Sequence, residues 1–163
     1  MCNPCSNGKP AMKCTVLTIV LLVMPTVSAQ EKAPARFNIE SDLDRLSQKT
    51  AKDTLRSVLT AIEAKRINYV LAHLADPVFV DQRVKDTGGR FEVMVQETTK
   101  KLDSDAESLP ELRKFLTDGE WKEEETTASA SCKDVRGKMI YFKKIGNRWF
   151  LENRTSPAKD KEK

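Results

Sequence analysis

Apolar side chains at positions 55–74 recur at spacings of three and four: Leu55, Val58, Leu59 and Ile62, then Ile67, Val70, Leu71 and Leu74, with Arg56, Glu63, Lys65 and Arg66 between them. A helix completes a turn in about 3.6 residues, so this spacing gathers the apolar groups into one stripe and turns the charges to water. It predicts an amphipathic helix, either single and bent or divided in two. Ser41 would cap an upstream extension through Asp42-Leu43-Asp44-Arg45-Leu46. The stripe stops at Ala75-Asp76-Pro77, because proline has no N–H for the ladder and disfavours helix at the residue before it. Val78-Phe79-Val80 reads as a short extended run or turn, and Asp86-Thr87-Gly88-Gly89 as a loop.

Phe91, Met94, Val95, Thr98 and Leu102 lay out a second helix. A third carries the pattern of a capping box, with Ser108 as cap, Pro110 in the first turn and Glu111 three residues after the serine. Leu112, Phe115 and Leu116 form its buried side, and Gly119 ends it. From Trp121 onward the period drops to two. Thr126, Ala128, Ala130 and Cys132 alternate with Thr127, Ser129, Ser131 and Lys133, a strand with small residues inward and polar ones outward. Residues 139–145 and 148–153 are two further strands joined at Gly146-Asn147, a composition suited to a tight hairpin. Helices followed by three antiparallel strands predict an α+β domain over residues 39–154, with the helices packed on one face of the sheet. Residues 30–38 read as a flexible leader, and residues 155–163 as a disordered charged tail.

The first 29 residues have the parts of a secretory signal peptide. Lys9 and Lys13 precede an apolar run over residues 15–27, and Val27-Ser28-Ala29 offers a cleavage site before Gln30. The run is shorter than the roughly 20 residues that a membrane-spanning helix needs. Cleavage after Ala29 would export the domain to the periplasm or the extracellular space; an uncleaved segment would tether it to the membrane. Met12 is an alternative start. Cys2, Cys5 and Cys14 fall in this segment, so the processed chain keeps Cys132 alone and has no internal disulfide. Cys132 reads as a small buried filler on a strand.

Of 28 basic residues in the chain, Lys9 and Lys13 leave with the segment, so 26 remain against 24 acidic ones, with the signs interleaved. A balance this even argues against nucleic acid as a partner.

Several features together resemble the NTF2-like (SnoaL/steroid isomerase-like) superfamily, over about residues 50–154. They are the long amphipathic helix, the turn Ala75-Asp76-Pro77-Val78-Phe79-Val80-Asp81, a middle helix opening with Gly89-Arg90-Phe91, and a closing strand with Gly146-Asn147-Arg148-Trp149-Phe150-Leu151. The resemblance implies a cone with a pocket between helices and a curved sheet. In enzymatic relatives that pocket holds an Asp or His base opposite a Tyr or acid that polarises a carbonyl. The family's sheet is larger than the three strands legible here, and a helical domain capped by a small sheet is the alternative.

Under the resemblance the catalytic candidates are His73, Asp76, Asp81 and Tyr141, each of which also has a plainer structural reading. His73 would be a helix-edge histidine whose cation the C-terminal carbonyls favour. Asp76 would be a turn residue, Asp81 a surface carboxylate, and Tyr141 a buried phenol with one partner. Trp121 and Trp149 would be core anchors, or, if both project from the outer face of the sheet, the centre of a protein-binding or dimerising surface. Tyr141, Trp121 and Trp149 are accordingly also the ligand-binding candidates. One His and scattered carboxylates match no zinc spacing, and Glu120 with Glu123-Glu124-Glu125 reads as a solubilising cluster, so neither a metal nor a cofactor is expected. Asn153-Arg154-Thr155 is a glycosylation sequon that matters only in a host that glycosylates exported chains. The expected role is a non-catalytic module that binds a small molecule or a partner protein, or that forms a homodimer through its sheet. The alternative is an isomerase or dehydratase acting on a small carbonyl compound.

Overall fold

The computed structural model describes residues 34–135 and 137–154. The predicted signal segment 1–29, leader residues 30–33 and the tail 155–163 lie outside the described residues. None of the described helices is long and apolar enough to cross a membrane.

Helix α1 spans Ala51–Glu63 and buries Ala51, Leu55, Val58 and Leu59 along the predicted stripe. Its cap is Thr50, whose hydroxyl accepts from the Asp53 N–H at 3.0 Å, and not Ser41. Residues 41–48 are turns and irregular chain, because the backbone there is needed elsewhere: the Gln48 carbonyl accepts from the Trp149 N–H at 3.0 Å. The long stripe is divided in two. The chain reverses at Lys65, which sits in the left-handed region at φ 56°, and resumes as α2 (Ile67–Tyr69), which runs directly into a π-helical turn at Val70–Leu74. The wider π turn places five successive residues, Val70, Leu71, Ala72, His73 and Leu74, in the interior.

Helix α3 (Pro77–Asp86) corrects the extended reading of Val78-Phe79-Val80. Asp76 accepts from the Val78 N–H at 3.0 Å, and Pro77 occupies the first turn, where its missing N–H costs nothing. The proline that ends one helix therefore begins the next. Helix α4 (Phe91–Ser104) buries Phe91 and Met94, and α5 (Ser108–Thr117) buries Phe115. Ser108 does not cap α5. It is the first helical residue, and its hydroxyl donates to Asp105 Oδ2 at 3.0 Å. Gly119 follows because a Cβ there would lie 2.2 Å from the Phe115 carbonyl oxygen.

The sheet has four strands, one more than predicted: β1 (Glu120–Glu123), β2 (Thr127–Ser131), β3 (Met139–Ile145) and β4 (Arg148–Glu152), antiparallel in the order β1-β2-β3-β4. Strand β1 is polar except for Trp121 and carries no readable alternation; its pairing with β2, Trp121 opposite Ala130, defines it. Gly146, at φ 59°, opens the two-residue turn between the paired Ile145 and Arg148. Cys132 is buried just beyond β2. The inner face brings Ala128, Ala130, Phe142 and Trp149 against Leu55, Leu59 and Phe115. The result is an α+β fold with helices first and an antiparallel sheet second.

The two edges of the sheet are treated differently. Edge strand β4 is covered by chain from the helical half: Ala75 bridges Leu151 in parallel, and the Asp76 N–H donates to the Leu151 carbonyl at 2.8 Å. Edge strand β1 is short and charged, which discourages pairing with other chains. Residues 34–38, assigned by composition to the leader, are docked. Phe37 stacks on Phe91 at 4.1 Å, and the Arg36 guanidinium donates to the Ala72 carbonyl at 3.0 Å and pairs with Asp81.

Candidate functional site: a cavity between the helices and the sheet

The helical layer does not close completely on the sheet. A cavity of about 410 Å³ remains where α1, the π turn, α3, α4 and α5 face β3 and β4. Val58, Ile62, Val70, Leu71, Met94, Leu102, Leu112, Ile140 and Leu151 form its walls. Its volume falls within the roughly 300–1,000 Å³ of small-molecule sites, and its predominantly apolar lining is of the same kind. The polar lining residues are mostly exposed and mark the mouth: Arg83, Glu97, Thr98 and Lys101 from α3 and α4, and Glu152, Asn153 and Arg154 at the end of β4. Two ion pairs brace this rim, Arg83 with Glu97 at 3.4 Å and Arg154 with Glu152 at 3.0 Å. Thr98 is the sequence signal of the site, the one polar member of the otherwise apolar stripe on α4.

None of His73, Asp76, Asp81, Tyr141, Trp121 and Trp149 lines this cavity. The fold separates the catalytic candidates. His73 is only 1 % exposed, and its Nε2 lies 2.8 Å from the Ile39 carbonyl, to which it donates. Burial pushes its pKa below the ordinary histidine value, and the cationic Arg36, Arg148 and Arg66 push the same way, so the ring is neutral. The predicted helix-edge cation is thereby corrected, because the π turn carries the ring inward. Its ring centroid lies 4.9 Å from that of Tyr69. Tyr69 belongs to none of the predicted sets, yet it is fully buried, accepts from the Asp42 N–H at 2.9 Å and has its pKa raised chiefly by burial.

Asp76 is committed to capping α3. Asp81 stands on the exposed side of α3, paired with Arg36. Tyr141 is half-buried on the outer face of β3, with its hydroxyl 3.5 Å from Met139 Sδ and the Arg154 guanidinium 4.9 Å from its ring centre. Both tryptophans turn inward: Trp149 is 2 % exposed, and Trp121 packs against Phe142 while its Nε1 donates to the Phe115 carbonyl at 3.1 Å. Both therefore belong to the inner face of the sheet and pack with the core, and neither projects from the outer face. Among the described residues no group of His, Cys, Asp or Glu gathers to hold a metal ion.

Chemically, the cavity can desolvate an apolar body and hold a polar end at the rim. Its two carboxylates, Glu97 and Glu152, face arginines at the mouth and lie apart from the apolar depth where a base would need to be desolvated. Comparison with protein-family models, curated proteins and solved structures finds no match to this chain.

Proposed function

We propose that this domain is a non-catalytic binding module that receives a small, predominantly apolar molecule in the cavity between helices and sheet. The observation that carries the reading is the unfilled apolar volume of about 410 Å³ beneath a rim of charged residues. What marks it as a site is the combination of that volume with walls that are predominantly apolar, the chemistry of a small-molecule pocket. The reading includes the NTF2-like outline, supported by the order of helices and sheet and by the pocket between them. It also includes export, supported by the basic start and apolar run of residues 1–29.

Titration with the neutral apolar dye Nile red tests the proposal. A single saturable site is expected, and Thr98→Trp, which puts an indole into the mouth, is expected to abolish it. Unsaturable fluorescence, or binding unchanged in Thr98→Trp, would reject the cavity as the site.

A further inference from the structure

We infer that the occupant of the cavity is an anionic amphiphile, an aliphatic chain ending in a carboxylate, with the chain against the apolar walls and the carboxylate at Lys101. The inference rests on the binding reading above and adds the chemistry of the ligand. Three cations stand at the mouth, Arg83, Lys101 and Arg154, against two carboxylates, Glu97 and Glu152. Each carboxylate is taken up by an arginine. Lys101 has no ion-pair partner among the described residues, although Glu97 lies one turn before it on the same helix. The rim therefore carries one positive charge in excess, and that charge belongs to a flexible side chain.

Position strengthens the assignment. Thr98 and Leu102 flank Lys101 on the cavity side of α4, so one short stretch of helix offers an apolar contact, a hydroxyl and an ammonium in succession. A carboxylate at the mouth would take a charge-assisted hydrogen bond from Lys101 and a further bond from the Thr98 hydroxyl or the Asn153 amide. The chain behind it would meet Leu102, Met94 and Leu71. A cationic amphiphile would instead place its charge beside Lys101 and two paired arginines.

The test compares three probes with the same chain, decanoate, decanol and decyltrimethylammonium, by isothermal titration calorimetry on the full protein. Decanoate is expected to bind about tenfold more tightly than decanol, the worth of one charge-assisted contact at a wet rim, and the cation to bind most weakly. Lys101→Met is expected to bring decanoate down to the level of decanol and leave decanol unchanged. Lys101 is exposed, so this variant should fold, and Lys101→Arg should restore the preference. Equal binding of decanoate and decanol, or a preference that survives Lys101→Met, would overturn the inference while leaving the apolar site standing. Binding of none of the three would overturn both.

Discussion

Two stretches of the boundary between helices and sheet solve the same packing problem in opposite ways. In the seam around Gln48, His73 and Trp149 the layers are closed. The Gln48 amide nitrogen donates to the carbonyls of His73 at 2.9 Å and Trp149 at 2.7 Å, the Thr54 hydroxyl lies 3.2 Å from the same Trp149 oxygen, and the indole of Trp149 fills the space beside them. In the stretch between α4 and the end of β4 the layers stand apart, and the walls are aliphatic. Polar groups are buried where they tie irregular backbone to the sheet edge, and are moved to the rim where the interior is left open. Burial of a polar group is offset by bonding it, so the closed seam keeps the Gln48 amide nitrogen and the His73 ring nitrogen, while Gln48 Oε1 stays without a partner. An open cavity offers such groups no partner, and none is found at its depth. The difference separates the part that holds the fold from the part free to take a ligand.

The contrast is most sharply broken by Trp149→Ala, which removes the largest side chain of the closed seam. A loss of about 3–5 kcal/mol is expected from urea unfolding, enough to threaten the fold of a small domain. Gln48→Leu comes next, with an expected cost of about 1–3 kcal/mol, because the His73 carbonyl loses its donor in the interior. Part of that cost is offset, since Gln48 Oε1 has no hydrogen-bond partner and its burial is relieved by the change. A third prediction concerns pH. The native pKa of His73 lies below its unfolded value of about 6.5, so the unfolded chain takes up the proton first. The stability contributed by the neutral ring is complete above the unfolded pKa and is lost as pH falls from there toward the native pKa. The slope is at most about 1.4 kcal/mol per pH unit. His73 is the only histidine in the chain, so unfolding free energies measured between pH of about 7.5 and about 5.5 should fall in the native protein and stay flat in His73→Gln.

The smallest effect is expected on the open side. Thr98→Trp, which destroys the dye site, should change stability by less than about 0.5 kcal/mol, because the indole enters space that is already free. A cost comparable to that of Gln48→Leu would show that the cavity is held as tightly as the seam, and the division between the two regions would fail.

The cavity was only half legible in sequence. Its walls are the stripe residues Val58, Ile62, Val70, Leu71, Met94 and Leu102, whose spacing announces an interior but not whether that interior is filled. Thr98 within the stripe of α4 was the available hint. Candidates chosen for their chemistry, His73, Asp81 and Tyr141, went to the seam, to solvent and to the outer face of the sheet. The misread segments share a cause. Residues 41–46 and 78–80 carry only local pattern, whereas the chain that follows Leu46 is held by β4 at Gln48, and the helical start at Pro77 is organised by Asp76, whose own N–H is bonded to Leu151.

By itself the sequence determined the α+β order, the faces that α1, α4 and α5 bury, the β3–β4 hairpin and the inward alanines of β2. These follow from periodicity and turn chemistry, which act between residues near in the chain. The tertiary structure alone decided the π turn that carries His73 inward, the pairing of the nearly all-polar β1, the sealing of the β4 edge and the space left between the layers. Each of these depends on groups distant in sequence competing for the same hydrogen bonds and the same volume, and no local pattern records who wins.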